Sequence, residues 1–415
     1  MAMHLLRRSR PLIPALIAAS SAHEGSAPPP RGRSSRTAAD YPEAVQRRLV
    51  LFSPGHTEPG GAAARSRLIA SVLAQRGWDV RAITRAGGLR RFRFDRSPNL
   101  VVLEVPGFGK RRVGAALFIV LAVPVGVVWG RSASAFIAVR LASPSTAAAV
   151  CALILRRPYV ALTTYTGALS DVRYVLSRRS APLRRWLLGR AAYLVAQTKD
   201  GAAELEDLAP RERIAVIANP VAEVKPTPLN GRPNAVYSGR LAVEKDLSRL
   251  LLAWRKIAQE LPGARLTLVG EGGTHRSTEG ELRAMVDSDS VLQQAVTFTG
   301  WVRDVGKYLQ TADVYVFPSR EEGMSNALLE ACAWRRVIVA SDIPPNRAVL
   351  GDDFPLLFRA GDTTDLIETL RCAFMDESLR AEARYRVEAR IRESSADAVA
   401  RRLEALIDDA GRSRH

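Results

Sequence analysis

The chain has 415 residues, 47% of them hydrophobic and 25% charged, a balance that buries a real core and excludes wholesale disorder, a collagen repeat and a coiled coil. Its net charge of +18 asks for an anionic partner, whether nucleic acid, an anionic membrane or a phosphate-bearing ligand, and does not choose among them. Three separated cysteines (Cys151, Cys332, Cys372) and five scattered histidines exclude a disulfide framework and offer no ligand spacing, so no metal is expected.

Residues 1–47 are rich in Arg, Ser, Ala and Pro and poor in aromatics, which predicts a disordered segment. The stretch RRSRPLIPALIAASSA has the paired arginines and small residues of a secretion signal, but two prolines interrupt its apolar part. From residue 48 short β-rich runs alternate with helical stretches. The predicted strands are 49–53, 79–84, 100–105, 135–140, 159–164, 193–198 and 213–220, and together they predict a domain over 48–223. Two segments of that domain stand out. Residues 113–130 carry no charge and follow Lys110-Arg111-Arg112; the expectation is a buried helix kinked at Pro124, with a helix dipping into one leaflet and a true membrane span as the alternatives. From Arg173 to Arg190, Arg178, Arg179, Arg184 and Arg185 surround Trp186, Leu187 and Leu188, a helix that suits an anionic bilayer surface.

Residues 224–234, with three prolines, read as a linker. The alternation then restarts, with strands at 235–240, 265–270, 296–300, 313–319 and 337–341, and predicts a second domain over 235–395. Residues 396–415 are expected to form a C-terminal helix and tail that return to the first domain. The fold class is therefore α/β, two Rossmann-like doubly wound domains, and the default site is the cleft between them.

Three stretches carry chemistry. In PSREEGMSNALLEACAW (318–334) a strand runs through a turn into a helix starting near Ser325-Asn326, a place where backbone N–H groups and the helix dipole favour phosphate. Glu322 and Glu330 flank that start, and carboxylates there suit sugar and ribose hydroxyls. In SGRLAVEKD (238–246) Arg240 and Lys245 bracket a strand-end loop, where both reach one diphosphate. In LVGEGG (268–273) Gly270 and Gly272 permit close backbone approach, but His275 breaks the GxGxxG pattern. The DSD at 287–289 lacks a preceding apolar strand and reads as a solvated helix end.

These three stretches, in this order, resemble the donor domain of retaining glycosyltransferases of the two-domain GT-B fold, family 4. Gly60-Gly61 resembles the family's N-terminal glycine turn, and IANPV (217–221) its Asn-containing hinge. The resemblance implies that Arg240 and Lys245 hold the donor diphosphate, Glu330 binds the ribose and Glu322 faces the transferred sugar. Backbone amides near Ser325, Asn326 and Ala327 would contact phosphate, and Gly323 and Met324, with Gly270 and Gly272, would belong to the donor site. Where the family often carries a histidine on the acceptor side, LTTYTGALSD has Tyr165 and Thr166, with Asp171 nearby; His56 is the one loop histidine available to that domain. The implied partners are a nucleoside-diphosphate sugar, with UDP-sugars favoured, a lipid-linked or surface-polysaccharide acceptor and an anionic membrane surface, with no cofactor and no nucleic acid. The implied place is cytoplasmic, at the inner face of the membrane. A non-catalytic membrane-associated subunit with a vestigial donor site and a nucleotide-sugar epimerase of the same fold are the alternatives.

Overall fold

The structure is a computed structural model and describes residues 47–55, 61–87, 92–107, 111–165, 170–229, 231–273 and 276–413. The segment 1–46 and the residues His56, Gly60 and Thr166 lie outside the described residues. Strands β1 (Arg48–Ser53), β2 (Asp79–Gly87), β3 (Arg93–Ser97), β4 (Leu100–Gly107), β5 (Ala133–Val139), β6 (Tyr159–Leu162), β7 (Tyr193–Ala196) and β8 (Ile214–Val216) form one sheet. Its order is β3-β4-β2-β1-β5-β6-β7-β8. A second sheet, in the order β11-β10-β9-β12-β13-β14, combines β9 (Asn234–Ser238), β10 (Arg265–Val269), β11 (Val296–Gly300), β12 (Val314–Phe317), β13 (Val337–Ser341) and β14 (Leu357–Phe358).

Apart from β3, the paired strands run parallel. Helices cover both faces of such a sheet, so its strands read as unbroken apolar runs. In β1, Leu49 and Leu51 enter one core while Val50 and Phe52 enter the other. Strand β3 was not expected from the sequence. Its RFDRS has no apolar alternation, and all five residues are exposed. It is an antiparallel edge strand on β4, and its charges guard that edge.

The 113–130 segment lies in the helix Arg111–Gly130 with Pro124 inside it, but it is not the buried helix expected. Phe118, Ala122 and Trp129 pack on the sheet, while Val113, Val120 and Val128 are exposed. Helical periodicity brings residues 118, 122, 126 and 129 to one face, and glycine lets that face sit close: a Cβ at Gly126 would lie 2.6 Å from the Phe52 ring. The Arg-rich segment also differs from expectation. It forms two helices, Asp171–Leu176 and Ala181–Leu188. Leu187 and Leu188 point into the core, and Leu183 and Trp186 are the exposed apolar side chains, with Arg190 stacked 3.9 Å from the Trp186 ring.

The chain passes between the sheets twice, after β8 and before the last helix, and the two passages meet in a bridge between Val221 and Ser395. The last helix, Ala396–Arg412, packs Val399, Leu403 and Ile407 into the same core as Ile69 and Leu73 of the helix Gly61–Gln75. Glu404 accepts from Arg76 and from the Trp78 indole N–H at 2.8 Å.

Candidate active site at the interdomain seam

The three motifs meet at the carboxyl ends of β9, β10 and β12. Just past β9 and β10, two loops cross almost in contact. Gly239 donates to the Val269 carbonyl at 2.9 Å and Gly270 to that of Gly300 at 3.0 Å. A Cβ on Gly270, at φ +136, would sit 1.9 Å from the Gly239 oxygen. Gly272 donates its N–H to Glu279 at 2.8 Å. The amides of Gly270 and Gly272 are thus engaged within the protein, and what these glycines supply is closeness of backbones rather than free donors.

Arg240 and Lys245 stand differently. Arg240 is exposed and pairs with Glu244 at 2.5 Å. Lys245 is mostly buried, forms an ion pair with Glu322 and lies 5.6 Å from the Phe317 ring centroid. One cation and one carboxylate, which the resemblance assigns to diphosphate and sugar, therefore neutralise each other here. Behind them the helix Asn326–Ala333 begins, capped by Ser325, whose hydroxyl accepts from the Leu328 N–H at 3.4 Å. Glu330 sits one turn further in, and burial alone pushes its carboxyl pKa up to about 7. Of the DSD residues, Asp289 caps the helix Ser290–Ala295, and among the described residues no cluster of His, Cys, Asp or Glu could hold a metal ion.

The other domain closes on this helix start. Asn326 donates to the Gly61 carbonyl at 2.9 Å and accepts from Asn219 at 2.8 Å. Asn219 also donates to the Met324 carbonyl at 3.3 Å and accepts from Gln197, at the end of β7, at 2.8 Å. Asn219 and Gln197 were not among the expected site residues. The IANPV stretch was the signal for Asn219; Gln197 had none, since its role follows from where β7 ends.

Of the acceptor-side candidates, Tyr165 and Asp171 are described. Asp171 is buried and accepts from the Thr164 N–H at 2.7 Å. Burial pushes its pKa up, against the pull of Arg140 and of neighbouring backbone N–H groups. Tyr165 is partly exposed beneath the Arg140 guanidinium, 5.3 Å away. Two further arginines join them. Arg140 follows β5, and Arg65, fully buried in the helix Gly61–Gln75, donates to the Thr163 carbonyl. Burial lowers the Arg65 pKa to about 10, partly offset by Asp171.

Residues 60–220 match the family model of the glycosyl transferase 4-like domain, and residues 232–376 match that of glycosyl transferases group 1. The chain belongs to the glycosyl transferases group 1 family. An N-acetylgalactosaminyltransferase of Campylobacter jejuni, acting on N-acetylgalactosamine-N,N'-diacetylbacillosaminyl-diphospho-undecaprenol, is 28% identical over 170 residues, 40% of this chain and 44% of that protein. The UDP-Gal:alpha-D-GlcNAc-diphosphoundecaprenol alpha-1,3-galactosyltransferase of Escherichia coli is 28% identical over 135 residues, 32% of this chain and 34% of that protein. The chain thus spans less than half the length of these two relatives. Among solved structures, sucrose-phosphate synthase of Thermosynechococcus elongatus superposes with a TM-score of 0.68 at 19% identity, over 88% of this chain and 100% of that one. Anabaena HepE in complex with UDP-glucose gives 0.68 at 16% identity, over 87% and 99%. The family and these likenesses make the fold GT-B.

Proposed function

We propose that this protein is a retaining glycosyltransferase that moves a sugar from a UDP-sugar to a lipid-linked or surface-polysaccharide acceptor at an anionic membrane. The observation that carries the reading is the mostly buried Lys245–Glu322 pair set in front of the capped helix start at Asn326. A donor diphosphate entering there takes Lys245 from Glu322, and the released carboxylate accepts from sugar hydroxyls. Arg240, Lys245 and the helix dipole stabilise the leaving diphosphate, as preorganised electrostatics without a metal. The bond from the anomeric carbon to the diphosphate breaks while one to the acceptor oxygen forms on the same face. The acceptor hydroxyl proton passes to the leaving diphosphate. Glu330, on the same helix, would accept from the ribose hydroxyls. UDP is favoured because the Escherichia coli relative is named for UDP-Gal and HepE was solved with UDP-glucose.

The membrane reading rests on one face of the first domain. The stretch between Glu104 and Asp200, which supplies that face and also the cleft residue Arg140, carries 14 Lys and Arg against a single acid, the buried Asp171. The helices Arg111–Gly130, Ser143–Leu155 and Ala181–Leu188 lie side by side there, and expose Val113, Val120, Leu153, Ile154, Leu183 and Trp186. Anionic lipid attracts such a face by about 1 kcal/mol per well-placed cation.

A panel of nucleotide sugars tests the reading. UDP-sugars are expected to raise the melting temperature and to be turned over with retention, in EDTA as in magnesium. A panel in which no nucleotide sugar binds rejects it.

A further inference from the structure

The carboxyl ends of β5 and β6 hold charges that donor binding leaves unused. Arg140 leaves β5 at φ 86, a left-handed conformation that is costly for a residue with a Cβ and that persists where surrounding structure enforces it. Asp171 Oδ1 lies 3.6 Å from Arg140 Nε, and Arg65 donates to the carbonyl of Thr163, the residue before the one whose N–H donates to the carboxylate. Asp171 Oδ2 is taken by that Thr164 N–H at 2.7 Å. The Nε atoms of Arg65 and Arg140 and the hydroxyl of Thr164 are all buried without a hydrogen-bond partner. One carboxylate therefore stands near two cations, with Arg140 Nε held to it only by the 3.6 Å ion pair, and Arg65 Nε and the Thr164 hydroxyl are left without any partner.

Buried cations without full pairing are expensive to keep, and guanidinium N–H groups match the oxygens of phosphate and carboxylate. The position fits a substrate. Arg65 lies one turn along the helix from Gly61, which touches Asn326 across the seam, and Arg140 and Tyr165 are partly exposed beside it. Resting on the glycosyl-transfer reading, we propose that Arg65 and Arg140, braced by Asp171, form an oxyanion subsite for the acceptor, which therefore carries a phosphate or a carboxylate in the part that enters the cleft.

Calorimetry on the full chain saturated with UDP, so that the donor diphosphate site is filled, tests this with three probes: inorganic phosphate, glucuronate and neutral glucose. Phosphate or glucuronate is expected to bind where glucose does not. Arg140→Gln should weaken that binding at least tenfold and change UDP affinity less than twofold. Thr164→Val, nearly isosteric, should weaken it several-fold and serves where Arg140→Gln does not fold. Preference for phosphate assigns a phosphorylated acceptor, and preference for glucuronate an acidic sugar. No anion binding to the UDP-loaded protein, or binding unchanged in the variants, overturns the subsite. A protein that takes up no UDP fails the glycosyl-transfer reading instead, and the same titrations without UDP still read the subsite.

Discussion

Lys245 and Glu322 sit almost out of solvent, with side-chain exposures of 12% and 11%, whereas Arg240 keeps 57%. The two cations should therefore contribute unequally to donor binding. On the proposed donor site, Lys245→Ala removes a charge-assisted contact and leaves Glu322 unpaired where the diphosphate would enter, a loss of about 3 kcal/mol. Arg240→Ala removes a solvated charge and should cost about 1.5 kcal/mol. Calorimetric UDP-sugar affinities that are equal in the two variants, or reversed in order, contradict this placement. Glu330 makes the site pH-sensitive. Its folded pKa of about 7 lies above the ordinary 4.5, so the folded protein holds the proton more tightly than the unfolded chain: this residue's stabilising contribution is complete below 4.5 and is lost as pH rises through 7. A carboxylate that accepts from ribose hydroxyls must be ionised. UDP affinity should therefore fall as pH drops from 8 to 6, and Glu330→Gln should flatten the slope.

At the scale of elements, the helix Ala181–Leu188 separates two jobs that adjacent residues perform. Leu187 and Leu188 face the core, and Leu183 and Trp186 face outward. Replacing Leu183 and Trp186 together with Ser should reduce sedimentation with anionic liposomes at low salt and leave the melting temperature unchanged. Leu187→Ala should do the opposite, destabilising by about 2–5 kcal/mol with little effect on vesicle binding by the protein that remains folded. A double variant that binds vesicles as the parent does would turn the exposed face into an ordinary solvated surface.

For the whole molecule, the last helix ties sequence position 403 to position 73. Leu403 shares a core with Ile69 and Leu73, and Tyr193 donates to Asp409 from β7. Leu403→Ala should cost about 2–5 kcal/mol, and urea unfolding should show the loss in the transition of the first domain, although the mutation lies beyond the second. A loss confined to the second domain would mean that this helix does not hold in solution.

The sequence by itself determined the alternation of strands and helices, because buried parallel strands and amphipathic helices each write their own period into neighbouring residues. It also placed Arg240, Lys245, Glu322 and Glu330 at strand ends and a helix start, since turn glycines and caps are local signals. Strand β3 left no such mark, because an exposed edge strand buries nothing. The split of 173–190 into two helices, with Leu187 turned inward, depended on the core it packs against. Tertiary structure alone decided which charges meet. Lys245 finds Glu322, Asn219 finds Asn326, Arg140 finds Asp171, and Arg65 finds the Thr163 carbonyl. Each of these meetings joins residues far apart in the chain, and no periodicity encodes them; they arise because the parallel strands of each sheet end on one edge, and the Asn219–Asn326 bond joins the two edges across the seam.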